Sequence, residues 1–290
     1  MKDTYIFTEA VGCGEILNQC LMTFHKFHDE KVNIYCTEKD SKQIEYHSNN
    51  IFHYVNKETT DMYYNGHLGT ASIFANAILE SNSKYIIHFD SDVIFFDNCI
   101  DYIYTKINEK YDLIGPYRCY RNNKHGRNDV RNRNDVVQTF LCAFSFDKIK
   151  CFDYDQLMQM CVGADLCKRP IIDFFDPISF HIIENGGLAF YIPSEIFGGT
   201  DEYGNKNTVY GNIGEKCIHF ECVGSGKRFC ENYDVNVPDT YKKIAMSRYA
   251  IYSKIFFDNK LHNLVDEDEF EKIKNILRKH PRASSVIPIF

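Results

Sequence analysis

The stretch YIIHFDSDVIFF, Tyr85 to Phe96, decides how this chain reads. A largely apolar run leads into Asp90-Ser91-Asp92, and a second apolar run follows at once. The first run predicts a buried strand over Tyr85 to Phe89. Two carboxylates then stand one residue apart at the end of that strand. Burying charge is costly unless something pairs with it. The rest of the chain has to supply the partner.

Outward from that strand, strand and helix patterns alternate. TYIFT, Thr4 to Thr8, predicts a short buried strand, and VGCGE predicts a turn. Ile16, Leu17, Cys20, Leu21, Phe24 and Phe27 recur every three or four residues, which is one face of a helix. VNIYCTE, Val32 to Glu38, predicts a second strand, so the chain opens with a parallel βαβ unit and a right-handed crossover. IFHYVN, Ile51 to Asn56, is a third strand. Leu68, Ala71, Phe74, Ala75, Ile78 and Leu79 mark the helix that feeds the Asp-Ser-Asp strand. YDLIGP, Tyr111 to Pro116, and QTFLCAFSF, Gln138 to Phe146, are further strands. The pattern is α/β, with a mostly parallel central sheet flanked by helices.

RCYRNNKHGRNDVRNR, Arg118 to Arg133, has six Lys or Arg against one Asp and no hydrophobic period. It reads as a basic loop, either a solvated surface or a lid that meets an anionic ligand. DPISFHIIENGG predicts a helix with Asp176 as N-cap, Pro177 at the first helical position and Gly186 just past the end. KCIHFECVGSGKRF, Lys216 to Phe229, predicts a strand running into a glycine-rich turn. Beyond Pro238 the chain reads as helices over Tyr241 to Asp258 and Asp266 to His280. The expected organisation is one domain over residues 1–235, with a helical extension over 236–290 packed on it.

The bulk numbers exclude several classes. A chain of 290 residues buries enough surface to need no disulfide staples. A net charge of −7 argues against a nucleic-acid partner. The 12 cysteines form no C-x-x-C pair and no zinc-ribbon spacing. Cys36, Cys142 and Cys217 lie in apolar runs and read as reduced core thiols. No apolar run reaches the ~18 residues of a membrane span. Strand-like sequence from Thr4 leaves no room for a signal peptide. A cytoplasmic location is expected, in the host cytoplasm if the source is viral.

Parallel sheets place ligands at the carboxyl ends of their strands. Asp90 and Asp92 stand at such an end and can aim at one hard cation. Mg2+ and Mn2+ take oxygen ligands and keep positions open for phosphates. A cation there would offset the carboxylates and draw in a diphosphate.

YIIHFDSDV resembles the DxD signature of nucleotide-sugar-dependent glycosyltransferases of the GT-A fold. The N-terminal βαβ unit and the helix feeding an apolar strand agree with that family, over roughly residues 4–230. The resemblance implies a Rossmann-like GT-A fold with added C-terminal helices. It also implies a Mn2+ or Mg2+ ion on Asp90 and Asp92. IHFECVGSGK, Ile218 to Lys227, is similar to the C-terminal strand of many retaining members. That similarity implies His219 as third metal ligand, with Gly224 and Lys227 toward the diphosphate, although the Trp that often follows the Lys is absent. By position in the family, Thr8, Glu9 and Thr37 at the first two strand ends would flank the base and ribose. His67, Gly69 and Thr70 before the DxD strand, and Ser91 within the motif, would meet the nucleotide or donor sugar. Asp173 and Asp176 of IIDFFD are the candidates for an acceptor-side or catalytic carboxylate, and Gln138 and Thr139 are further acceptor-side candidates.

The implied activity is metal-dependent transfer of a sugar from a nucleotide-diphosphate donor, most often a UDP-sugar in this family. The acceptor would be a hydroxyl on a glycan, a protein or a lipid-linked sugar. FDSDV also fits the hhhDxDx[TV] motif of haloacid-dehalogenase-like phosphatases, whose first Asp is a nucleophile. A complete βαβ unit precedes Asp90, however, where that motif usually opens its domain. VGCGEIL matches only G-x-G of the dinucleotide fingerprint, with Leu17 at the third glycine position. Sugar nucleotidyltransferases carry a basic glycine-rich loop after strand one, and VGCGEILNQC has no basic residue. A non-catalytic carbohydrate-binding protein on a degenerate transferase fold is the remaining alternative.

Overall fold

The β-branched and aromatic runs fold as strands in a computed structural model. It describes residues 3–64, 68–118, 136–137, 139–161, 175–197, 210–213, 216–220, 222–231, 239–257, 261–279, 282 and 286–287. In chain order the first elements are β1 (Thr4–Ala10), α1 (Gly14–Phe27), β2 (Val32–Cys36), α2 (Glu38–Ser41), β3 (Asn50–Tyr54), α3 (Lys57–Tyr64), α4 (Leu68–Glu80), β4 (Tyr85–Phe89) and β5 (Val93–Phe95). Then come α5 (Ile100–Asn108), β6 (Leu113–Arg118), β7 (Val136–Val137), β8 (Leu141–Ser145), α6 (Tyr154–Cys161), α7 (Asp176–Glu184), β9 (Ala189–Ile192) and β10 (Ser194–Phe197). The last are β11 (Tyr210–Ile213), β12 (Cys217–Phe220), α8 (Val223–Cys230), α9 (Asp239–Phe256) and α10 (Glu267–Lys279).

The architecture is the expected α/β one. The main sheet runs β3-β2-β1-β4-β8-β6-β7, with β9 also on β6. β3, β2, β1 and β4 are mutually parallel, as is the β6–β9 pair. β8 is reversed between β4 and β6. A second, antiparallel sheet, β10-β11-β12-β5, starts immediately after the carboxylate pair. Alternate residues of a strand face opposite sides. Ile6, Ala10, Ile34, Ile87 and Phe89 therefore pack with α1 and with Ile251, Tyr252, Phe270 and Ile273 of the C-terminal helices. Phe7, Tyr35 and Ile86 pack on Ala71, Phe74 and Ile78 of α4. Among the described residues no helix is long and apolar enough to cross a membrane.

Local chemistry moves several boundaries. β2 stops at Cys36 because Thr37 caps α2, its Oγ1 accepting from the Asp40 N–H at 3.1 Å. Asp40 is almost fully buried and ties down the β1–α1 turn. Its carboxylate accepts from Gly12 N–H and Gly14 N–H, each at 3.0 Å, and from Thr37 Oγ1 at 2.6 Å. Gly12 needs its freedom, at φ +75. Asp40→Ala strands both N–H groups and is expected to cost about 2–4 kcal/mol. Chemical denaturation reads that loss directly, and an unchanged midpoint would remove Asp40 from this role.

Two sequence expectations are corrected here. Phe175 takes the cap place of α7, so Asp176 is its first helical residue rather than the N-cap. Asp176 still puts an acidic group in the first turn, where the helix dipole favours it. The predicted glycine-rich turn after β12 is instead the helix α8. Cys222 turns the chain at φ 67, and the Val223 N–H finds a carboxylate, so a helix starts where a turn was expected. Gly226 then serves packing: a Cβ there would stand 1.9 Å from the Ala245 carbonyl oxygen on α9. Gly226→Ala is expected to destabilise the protein by about 3 kcal/mol, read as a drop in Tm; a wild-type Tm would contradict this packing.

Candidate metal centre

β4 delivers His88 and Asp90 to one end of the main sheet. The register sets Phe7 of β1 opposite His88, so Glu9, two residues on, lies on the same face beside Asp90. β5 then leaves for the second sheet, where Val93 pairs with His219 of β12. The turn at Ser91-Asp92, which passes the chain into β5 and so beside β12, is therefore what brings His219 to the carboxylates. The segment leading into the reversed strand β8 forms a further wall: Asp90 N–H donates to the Phe140 carbonyl at 3.0 Å. The Phe140 ring stacks on His219 at 4.3 Å, tilted 13°.

The partners that the two carboxylates meet are thus two histidines. His219 Nε2 stands 3.1 Å from Asp92 Oδ1 and 3.4 Å from Asp90 Oδ2. His88 Nε2 stands 2.8 Å from Glu9 Oε2 and 3.7 Å from Asp90 Oδ1. Asp92 and His219 are buried, while 27% of the Asp90 side chain stays exposed, so the cluster opens to solvent on that side. Asp92 Oδ2 accepts from the Val223 N–H at 3.3 Å, which points the N-terminus of α8 at the same place. Burial opposes a charge on His219, but Asp92 and Asp90 outweigh it and raise the imidazole from 6.5 to about 10. Burial also opposes a charge on His88, and Glu9 and Asp90 hold it well above its ordinary value.

Asp90, Asp92 and His219 each offer a ligand atom, all within 4.8 Å of one another. Neighbouring ligands on an octahedral ion with bonds of ~2.1 Å stand ~3 Å apart. The His219–carboxylate separations match that spacing, so the residues fit a divalent ion.

The other predicted residues are placed as follows in the fold. Ser91 Oγ stands 3.7 Å from Cys13 Sγ, inside the β1–α1 turn region next to the carboxylates. Thr8 is fully buried in β1, Glu9 is bound to His88, and the Thr37 hydroxyl caps α2. Gly69 and Thr70 lie in the first turn of α4, and Asp176 is buried at the start of α7. Thr139 is buried, and its carbonyl faces His88 Nδ1 at 2.8 Å. Gly224 lies in the first turn of α8 beside Cys13. Lys227 is buried one turn further along, donating to the Gly12 carbonyl at 3.1 Å, with Glu231 at 3.2 Å. His67, Gln138 and Asp173 lie outside the described residues, as do residues 119–133 of the basic stretch.

Three participants were missed in the sequence. His88 carried a signal, being the one polar residue in YIIHF and two residues before Asp90. Asp40 carried another, the Thr-x-x-Asp spacing from Thr37. The Val223 N–H carried none, because the α8 start depends on Asp92 across the fold.

No family model matches the sequence, and no curated protein matches it. Solved structures with a similar chain path include the galactosyltransferase LgtC in complex with donor and acceptor sugar analogs. It is 11% identical with a TM-score of 0.46, over 63% of this chain and 72% of that one. A second is 4-diphosphocytidyl-2C-methyl-D-erythritol synthase from Anaerococcus prevotii, 14% identical with a TM-score of 0.44, over 71% and 91%. A third is mouse xyloside xylosyltransferase 1 in its apo form, 9% identical with a TM-score of 0.41, over 65% and 85%. Likeness at this level carries no weight for function, which is read from the site itself.

Proposed function

We propose that this chain is a metal-dependent glycosyltransferase that moves a sugar from a nucleotide-diphosphate donor, a UDP-sugar by preference, to an acceptor hydroxyl. The observation that carries the reading is the Asp90–Asp92–His219 cluster, with the N-terminus of α8 turned toward Asp92. A divalent ion on such a cluster and a helix N-terminus would both favour a phosphate-bearing ligand at one place. Asp90, Asp92 and His219 would hold Mn2+ or Mg2+. Such an ion supplies positive charge to a departing diphosphate.

The chain's own groups have separate tasks. Asp92 fixes the α8 start while facing His219, so helix and cluster keep one spacing. Lys227 holds the Gly12 carbonyl and so couples α8 to the β1–α1 turn, the side on which Gly224 and Ser91 would meet the donor. Thr8 and Thr37 are assigned to the base and ribose by their place at the ends of β1 and β2, and His67, Gly69 and Thr70 to the donor by theirs; the Glu9 carboxylate, expected beside Thr8, faces His88 instead. Asp173 and Asp176 are assigned to the acceptor side, where the acceptor is a glycan, a protein or a lipid-linked sugar. The domain over residues 1–235 would carry the activity, with 236–290 supporting it.

The test is apparent Tm against a panel of sugar nucleotides, with Mn2+ and with EDTA. Selective binding to the native state raises Tm. A rise with one nucleotide-diphosphate sugar that disappears in EDTA supports the proposal and names the donor class. No rise with any sugar nucleotide plus Mn2+ refutes it.

A further inference from the structure

Asp90 belongs to two groups of potential ligands. One is the cluster with Asp92 and His219; the other is Glu9, His88 and Asp90, whose ligand atoms also lie within 4.8 Å of one another. We propose that Glu9, His88 and Asp90 hold a second divalent ion of the first transition row, so that Asp90 bridges a two-metal centre. The inference rests on the metal reading of Asp90 given above and extends it.

The two oxygens of Asp90 are divided between the groups. Oδ1 faces His88 Nε2 at 3.7 Å, and Oδ2 faces His219 Nε2 at 3.4 Å. One oxygen toward each group is the disposition of a bridging carboxylate. His88 also has its other nitrogen engaged: Nδ1 stands 2.8 Å from the Thr139 carbonyl oxygen. A carbonyl only accepts, so Nδ1 carries a hydrogen and Nε2 is left to face Glu9 Oε2 at 2.8 Å. Metal-bound histidines nearly always have their second nitrogen anchored in this way. His219 lacks that anchor, since its buried Nδ1 has no hydrogen-bond partner among the described residues. By this measure His88 is the better-prepared ligand.

The donor set suits the ion class. One imidazole with two carboxylates takes Mn2+ or Zn2+ in preference to Ca2+. Fully buried His88 and nearly buried Glu9 would make this the closed position, and the half-open Asp90 side would be the exchangeable one. Paired ions ~3.5–4 Å apart can stabilise both ends of a transferring group. The competing arrangement is an ion pair in which a proton sits between Glu9 and His88.

Mn2+ distinguishes the two. The chain is stripped of metal, equilibrated with Mn2+, and assayed for bound manganese by elemental mass spectrometry and for spin coupling by electron paramagnetic resonance. We expect two Mn2+ per wild-type chain with an exchange-coupled spectrum, falling to one uncoupled ion in Glu9→Gln and to one in His219→Gln. One uncoupled ion in the wild type overturns the second site and leaves the first standing. Two uncoupled ions, or two ions in Glu9→Gln, place the second ion elsewhere and also overturn it. No bound manganese overturns both readings. The wild-type count and spectrum decide the matter even if Glu9→Gln fails to fold.

Discussion

Asp92→Asn is expected to abolish the metal-dependent rise in Tm produced by a nucleotide-diphosphate sugar and to lower kcat by roughly 10²–10³-fold. Asp92 is placed for two tasks. Its Oδ1 faces His219 Nε2 at 3.1 Å, and its Oδ2 accepts from the Val223 N–H at 3.3 Å. Asparagine keeps the size and one acceptor oxygen, so α8 retains its start. It removes the charge a divalent ion needs. A ligand present at a hundred times its Kd stabilises the native state by about 2.7 kcal/mol, and that increment is what the variant should lose. Asp92→Ala would also strand the Val223 N–H, which makes Asp92→Asn the cleaner test. Parallel thermal scans of both chains, with the same donor and Mn2+, read the effect. An equal rise in wild type and variant would remove Asp92 from the metal site.

The second large effect is on pH. His219 has an imidazole raised from 6.5 to about 10 in the folded, metal-free chain, where burial is outweighed by Asp92 and Asp90. A group whose folded pKa is raised stabilises the fold fully below its unfolded pKa. That contribution is lost as pH climbs through the folded value. The apparent Tm in EDTA should therefore fall as pH rises from near 6.5 toward 10. Metal binding runs the other way. A divalent ion competes with the His219 proton, so its affinity should rise about tenfold per pH unit between about pH 7 and 9. About one proton should be released per ion bound at this position. Calorimetric titration in two buffers of different ionisation enthalpy measures both quantities. A metal affinity that is flat over that range would mean that His219 is not a ligand.

Much of the fold was legible because its signals are local. Helix faces at three and four, as in Ile16 to Phe27, and apolar runs such as Tyr85 to Phe89 need only neighbours in the chain. The alternating pattern gave the strands from β1 to β4, β6, β8 and β12. The short strand β5 was hidden because VIFF reads as a continuation of the run before it. The second sheet was hidden too, since β5 and β12 pair across more than a hundred residues. The glycines of α8 predict a turn, but Gly226 serves close approach to Ala245 instead. At the site, the Asp90–Ser91–Asp92 placement is plain in the sequence, whereas only a family resemblance points to His219. His88 was visible as a polar residue in an apolar strand, but nothing near it in the chain identifies Glu9 as its partner.

By itself, then, the sequence determined an α/β chain with a carboxylate pair at the end of a buried strand. It did so because strand and helix periods and i, i+2 spacing are properties of adjacent residues. Only the tertiary structure decided what those carboxylates meet. Sheet order puts Glu9 beside His88 and Asp90, the β5–β12 pairing brings His219 to Asp90 and Asp92, and the α8 start completes Asp92. Those contacts depend on register between strands far apart in the chain, and a shift of one residue would turn each side chain to the opposite face.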